Sequence, residues 1–229
     1  MSPPADGLPA QPGGLGLTDR VDAARAERLA LCDLLEEVGP EAPTVLDGWR
    51  TGELAAHLLA RDTRPDAVPG MVAAIANPWT ERVERTIQHR VPYADIVGRL
   101  RRGPPRLSVG GVGGWRCDLP EWFVHHEDVR RACGLGPRPD SAEQRRLDDG
   151  VWAVLPFFGP LLARRARATV VLVSEDGRRR RVRRGTGTVE VHGRPSELLL
   201  ALFGRQGAAV QPLGDPAAVL AWRATRLGP

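Results

Sequence analysis

Asp118-Leu119-Pro120-Glu121-Trp122-Phe123-Val124-His125-His126-Glu127-Asp128-Val129-Arg130-Arg131 is the stretch on which the reading of this chain turns. Its apolar residues recur at helical spacing behind a residue suited to an N-cap, which predicts a helix opening at Asp118 and fading at Gly134. On that helix Glu121 and His125 stand four residues apart, one turn apart on the same face. A carboxylate oxygen and an imidazole nitrogen so placed are able to share one cation. A plainer reading stands beside it. Asp118-x-x-Glu121 also fits a capping box, which makes Glu121 a reciprocal cap and no ligand.

A third donor has to come from another element. A helix beginning at Thr51 runs through Glu53-Leu54-Ala55-Ala56-His57-Leu58-Leu59, and His57 lies three residues past Leu54, on the face expected to turn into a helical bundle. Bundle cores are where such folds build metal sites. Two histidines and one glutamate leave a coordination position open, the pattern of a catalytic rather than a structural site. Here too the plainer reading is a hydrogen-bonded core histidine. Asp128, three residues past His125, either orients that imidazole from behind or sits on an exposed face. Arg61, one turn beyond His57, either meets an anionic substrate or makes a surface ion pair.

Around these segments the pattern predicts an α+β protein whose first part is a four-helix bundle. A helix covers Leu17 to Val38 and stops at Gly39-Pro40; a third helical region covers about Thr80 to Arg102, interrupted near Pro92. Gly134 to Asp140 reads as a linker. Beyond it a helix near Ala142 to Leu162 precedes the β-branched run Thr169 to Val173, whose Glu175-Asp176-Gly177 end signals a hairpin. Val182 and Thr186 to His192 offer return strands, Pro195 to Phe203 a helix, and Asp215-Pro216 a last helix to about Arg226. The expected division is a disordered leader over 1–16, a helical unit over 17–134, a linker over 135–141 and a small α+β unit over 142–229.

Composition bounds the function. The chain has 229 residues with 42% hydrophobic and 26% charged, enough for a core and unlike a disordered or fibrous chain. No apolar run is long enough to span a membrane, and the Pro/Gly-rich start lacks the basic and apolar regions of a signal peptide. Three scattered cysteines (Cys32, Cys117 and Cys133) make no disulfide framework, so a reducing cytoplasm is expected. All 32 basic residues are Arg, a mark of GC-rich coding that argues against reading each as a binding residue. Residues 1–140 hold 17 Arg against 20 acids and residues 141–229 hold 15 against 8, which suggests two units with different surfaces.

Gly48-Trp49-Arg50-Thr51-Gly52-Glu53-Leu54-Ala55-Ala56-His57-Leu58-Leu59-Ala60-Arg61-Asp62 and Glu121 to Arg131 together resemble the two signature segments of the actinobacterial mycothiol-dependent maleylpyruvate isomerase superfamily, in particular a metal-binding branch. Gly193 to Leu200 and the closing helix resemble its small C-terminal domain, so the likeness spans about residues 17–228. The resemblance implies a DinB-like metal-binding bundle with His57, Glu121 and His125 as ligands, zinc as the expected ion and mycothiol as cosubstrate. It further implies an isomerase or S-transferase in which the metal activates a small thiol for attack on an electrophilic substrate. A non-catalytic metal-binding or regulatory module is the alternative.

The loudest charge feature, Arg178 to Arg184 broken only by Val182, offers phosphate contacts but no interleaved aromatics on which bases would stack. An exposed strand is the simpler account, and nucleic acid is not the expected partner. Gly110-Gly111-Val112-Gly113-Gly114 lacks the Lys-Ser/Thr of a phosphate loop and is expected to be a loop near the mouth of the site.

Overall fold

The computed structural model describes residues 16–64, 78–105 and 114–228. The expected leader, apart from Gly16, lies outside these residues, as does the Gly-rich loop up to Gly113. Among the described residues five helices come first: α1 (Leu17–Val38), α2 (Thr51–Thr63), α3 (Pro78–Arg90), α4 (Tyr93–Arg102) and α5 (Trp115–Ala132). After them come α6 (Ala142–Leu162), strands β1 (Thr169–Ser174), β2 (Arg179–Arg183) and β3 (Thr188–Gly193), helix α7 (Pro195–Leu202), β4 (Gln211–Gly214) and α8 (Pro216–Ala224). The α+β class expected from the sequence is the class observed. No helix among the described residues is long and apolar enough to cross a membrane.

Local chemistry explains most of the boundaries. The expected third helical region is two helices, because Pro92 disfavours helical backbone at Val91 and serves as N-cap of α4. Ser141 Oγ accepts the Gln144 N–H at the start of α6, and Asp215 Oδ1 accepts the Ala217 N–H at the start of α8. One boundary corrects the sequence reading. Helix α5 begins three residues before Asp118, at Trp115, with the Gly114 carbonyl accepting the N–H groups of Cys117 and Asp118. Asp118 is therefore no cap, and its carboxylate is free to accept from Arg61. Pro120 sits inside the helix and deprives the Arg116 carbonyl of its helical partner, at a place where the first turn has barely closed.

Two apolar cores meet at α5. Trp122 and Val129 pack with Leu31, Leu35, Leu54, Leu58, Ile96 and Leu100, a core supplied by α1, α2, α4 and α5. Leu119, Phe123 and Val124 pack instead with α6 and with Val170, Leu172, Val189, Val191 and Leu198 of the sheet and α7. Trp122, Phe123 and Leu119 are each at most 1% exposed, so both cores grip α5 and its rotation is fixed. That rotation decides where Glu121 and His125 point.

The sheet has strand order β2-β1-β3-β4, with β1 antiparallel to β2 and parallel to β3, and β3 antiparallel to β4. Strand β4 and the parallel pairing are not in the sequence reading, because Gln211-Pro212-Leu213-Gly214 has no alternating apolar pattern. A parallel neighbour ordinarily needs a long crossover. Here β2 makes the return, and the link from β2 to β3 wraps under the start of β1: Thr186 N–H donates to the Arg167 carbonyl and Thr169 N–H to the Gly187 carbonyl. The passage is so close that a Cβ on Gly185 would lie 1.9 Å from the Arg167 carbonyl oxygen, so only glycine fits.

Candidate metal centre

His57 on α2 and Glu121 and His125 on α5 face one another, and one donor atom from each lies within 4.8 Å of the other two. Glu121 Oε1 is 3.5 Å from His57 Nε2 and 3.4 Å from His125 Nε2. The imidazole rings meet edge to face with centroids 5.4 Å apart, and the Trp49 ring also meets His57 edge to face, at 5.2 Å.

Each histidine is held from behind by a carboxylate. His125 Nδ1–H donates to Asp128 Oδ2 at 3.0 Å, and His57 Nδ1–H donates to Glu84 Oε1 at 2.8 Å. With both Nδ1 atoms so engaged, both Nε2 atoms turn inward toward Glu121. A carboxylate behind the imidazole is the usual device by which proteins fix a metal-binding histidine's tautomer and ring plane. Asp128 is itself fully buried and held by a fork from Arg205, Nε to Oδ1 at 2.9 Å and Nη2 to Oδ2 at 2.7 Å.

Arg61 is 6% exposed, and the anions it meets are the chain's own. Its guanidinium donates to Asp118 Oδ1 at 3.2 Å, to Asp62 Oδ1 at 3.3 Å and to the Cys117 carbonyl at 3.0 Å, and its Nε lies 3.7 Å from Glu121 Oε1. The surface ion pair allowed by the sequence is thus a buried one.

These contacts set the charges. Burial opposes ionisation of Glu121, but Arg61, His125 and His57 outweigh it and hold its carboxyl well below the usual range. Burial likewise opposes a charged His57, and hydrogen bonds from it to Glu121 and Glu84 raise its pKa to about 9. His125 is raised in the same sense, by Asp128 and Glu121 against burial. Both shifts favour the protonated imidazole, with Glu121 as acceptor for the inward-facing proton of each. Two inward imidazole nitrogens and one ionised carboxylate form a donor set suited to a divalent cation such as zinc, whose charge would replace those protons.

No protein-family model matches the chain, and no curated protein sequence matches it. Among solved structures, the crystal structure of the mycothiol-dependent maleylpyruvate isomerase superposes with a TM-score of 0.59, over 88% of this chain and 95% of that one, at 16% identity. The chain has that enzyme's fold. A histidine-to-alanine mutant of mycothiol-dependent maleylpyruvate isomerase gives a TM-score of 0.60 at 15% identity, with the same shares covered. At such identity the likeness to the isomerase is one of fold.

Sequence reasoning singled out His57, Glu121, His125, Asp128 and Arg61, and the fold brings all five to one place. It did not single out Glu84 or Arg205. Glu84 had a faint signal: Val83 and Ile87 form the apolar stripe of α3, and Glu84 follows directly on the flank that reaches α2. Arg205 had none. It is placed by a Schellman turn closing α7, in which Gly204, at φ 77°, donates its N–H to the Ala201 carbonyl and Arg205 donates to that of Leu200.

Proposed function

We propose that this chain is an actinobacterial metal-dependent enzyme of the mycothiol-dependent maleylpyruvate isomerase type, with zinc held by His57, Glu121 and His125. Its two parts are then a helical metal-binding unit over 17–134 and a small α+β unit over 142–229, joined at 135–141 and working in the reducing cytoplasm. The observation that carries the reading is the convergence of both Nε2 atoms on Glu121, each imidazole backed by a carboxylate, within that enzyme's fold.

A divalent ion at this position supplies Lewis acidity and favours the thiolate form of a small thiol such as mycothiol, the nucleophile that the proposed isomerase or S-transferase chemistry needs. The chain's own residues prepare for it. Asp128 and Glu84 hold the imidazole protons at Nδ1 and leave Nε2 facing inward. Arg61 keeps Glu121 ionised, while Asp118 and Asp62 offset the charge of Arg61. We assign Arg61 to this support rather than to substrate, because its donors are already committed.

Nucleic acid has no part in the proposal. Arg178 and Arg180 lie over the Trp152 ring at 5.1 and 5.5 Å, Arg179 pairs with Glu190, and Arg183 donates to the Ala166 carbonyl. Metal analysis of the purified protein beside His125→Ala, followed by a screen for mycothiol-dependent loss of maleylpyruvate and related electrophiles, tests the reading. A bound divalent ion with thiol-dependent turnover supports it; affinity for metal with no turnover points to a binding module instead.

A further inference from the structure

The two histidines are supported unequally. Asp128, behind His125, has its charge neutralised by the Arg205 fork. Glu84, behind His57, pairs with no arginine among the described residues; its salt bridge is to His57 alone. Both members of that pair are largely shielded, at 14% and 16% side-chain exposure, and the 2.8 Å contact is shorter than its 3.0 Å counterpart at His125. An uncompensated carboxylate in a partly dry setting pulls harder on the proton it accepts than one shared with a guanidinium. The ring it faces gains electron density at Nε2 accordingly.

Glu84 is also carried by a different kind of element. Among the described residues, helix α3 meets α2 through Val83 and Ile87 beside Ala60, and its polar contacts there include Glu84 with His57 and Gln88 Nε2 donating to Glu53 Oε1 at 2.6 Å. Glu84 is thus the point at which α3 reaches the centre, and Gln88 holds α3 one turn farther along without touching it.

We propose that Glu84 is the positioning residue that sets the metal affinity of the centre, through the orientation and basicity it gives His57 and not merely by holding α3 in place. The proposal rests on the metal-centre reading above. It makes α3 a working wall of the site.

The test is zinc affinity measured by competition with a chromophoric chelator at pH 7.5, on the full chain and three variants. Glu84→Ala removes both acceptor and charge, and is expected to weaken zinc binding by about 10–100-fold. Glu84→Gln keeps the shape and an acceptor oxygen but drops the charge, and is expected to fall between Glu84→Ala and wild type. Gln88→Ala loosens α3 without touching the centre and is expected to bind zinc as wild type does. In nitrogen-edited NMR of the zinc-loaded protein, the His57 Nδ1 proton signal is expected to move in Glu84→Gln while that of His125 stays. Wild-type affinity in Glu84→Gln overturns the proposal, even if Glu84→Ala fails to fold. So does an equal loss of affinity in Gln88→Ala. A wild-type chain that takes up no zinc defeats instead the metal-centre reading on which this one stands.

Discussion

Asp128 and Arg205, 77 residues apart, form a two-pronged ion pair with Nε to Oδ1 at 2.9 Å and Nη2 to Oδ2 at 2.7 Å, and the same Asp128 carboxylate accepts the Nδ1–H of His125. The last part of the chain thereby fixes a side chain of the candidate centre. Burial resists charge on Asp128, and His125 and Arg205 overcome it, keeping the carboxyl below its usual range.

Arg205→Ala leaves that buried carboxylate without its arginine partner. Breaking one side of a buried pair is expected to cost about 3–5 kcal/mol, read as a shift of the urea midpoint. Arg205→Lys recovers only part, because an ammonium does not reproduce the fork. A midpoint unchanged in Arg205→Ala contradicts the pairing.

Alanine at His57, Glu121 or His125 removes one of three donors. Each variant is expected to lose the divalent ion that the wild type retains through dialysis, as read by elemental analysis, while far-UV circular dichroism stays helical. Undiminished metal content in all three variants rules out the assigned ligands.

Acidity tunes the centre. Metal binding must displace the proton from His57, whose pKa in the folded chain is about 9. Zinc affinity is therefore expected to rise by about tenfold or more per pH unit between pH 6.5 and 9, measured with metal buffers. For the metal-free protein the sign reverses. A histidine whose folded pKa is raised contributes stability that is fully present below its unfolded value near 6.5 and is lost as pH climbs through about 9. Burial raises Asp62 to about 7, so its ionisation opposes folding in the same direction over lower pH, between its unfolded value and about 7. Thermal melting of metal-free protein is thus expected to fall as pH rises from 6 to 9, and added zinc to stabilise most at the alkaline end. A melting point that climbs over this range contradicts the His57 environment.

Trp122 fills the core of α1, α2, α4 and α5 directly beside Glu121, with none of its surface exposed. Trp122→Ala is expected to cost about 3–5 kcal/mol in denaturant unfolding. It is also expected to weaken metal binding, since α5 loses the anchor that sets its rotation. A loss of stability with full metal affinity separates the two roles.

Much of this protein was legible before the fold. The stop at Gly39-Pro40, the break at Pro92, the Asp-Gly turn after β1 and the proline starts of α7 and α8 follow from dihedral limits that act within a few residues. The Glu121–His125 relationship was legible for the same reason, since one helical turn fixes it. The start of α5 was not. Asp118 is a good cap by type, yet Arg61, from a helix 57 residues earlier, claims its carboxylate.

The sequence by itself determined most of the helices, the hairpin of β1 and β2, the α+β class and the residue types able to bind a cation, because propensity, capping and side-chain chemistry are local. Only the tertiary structure decided which of those residues share a site and in what state. Two cores clamp α5 at one rotation, α2 brings His57 within reach, and Glu84 and Arg205 arrive from α3 and from the turn after α7. Contacts between residues far apart in the chain depend on how whole faces pack and on which charges burial forces to pair, and no local pattern encodes either.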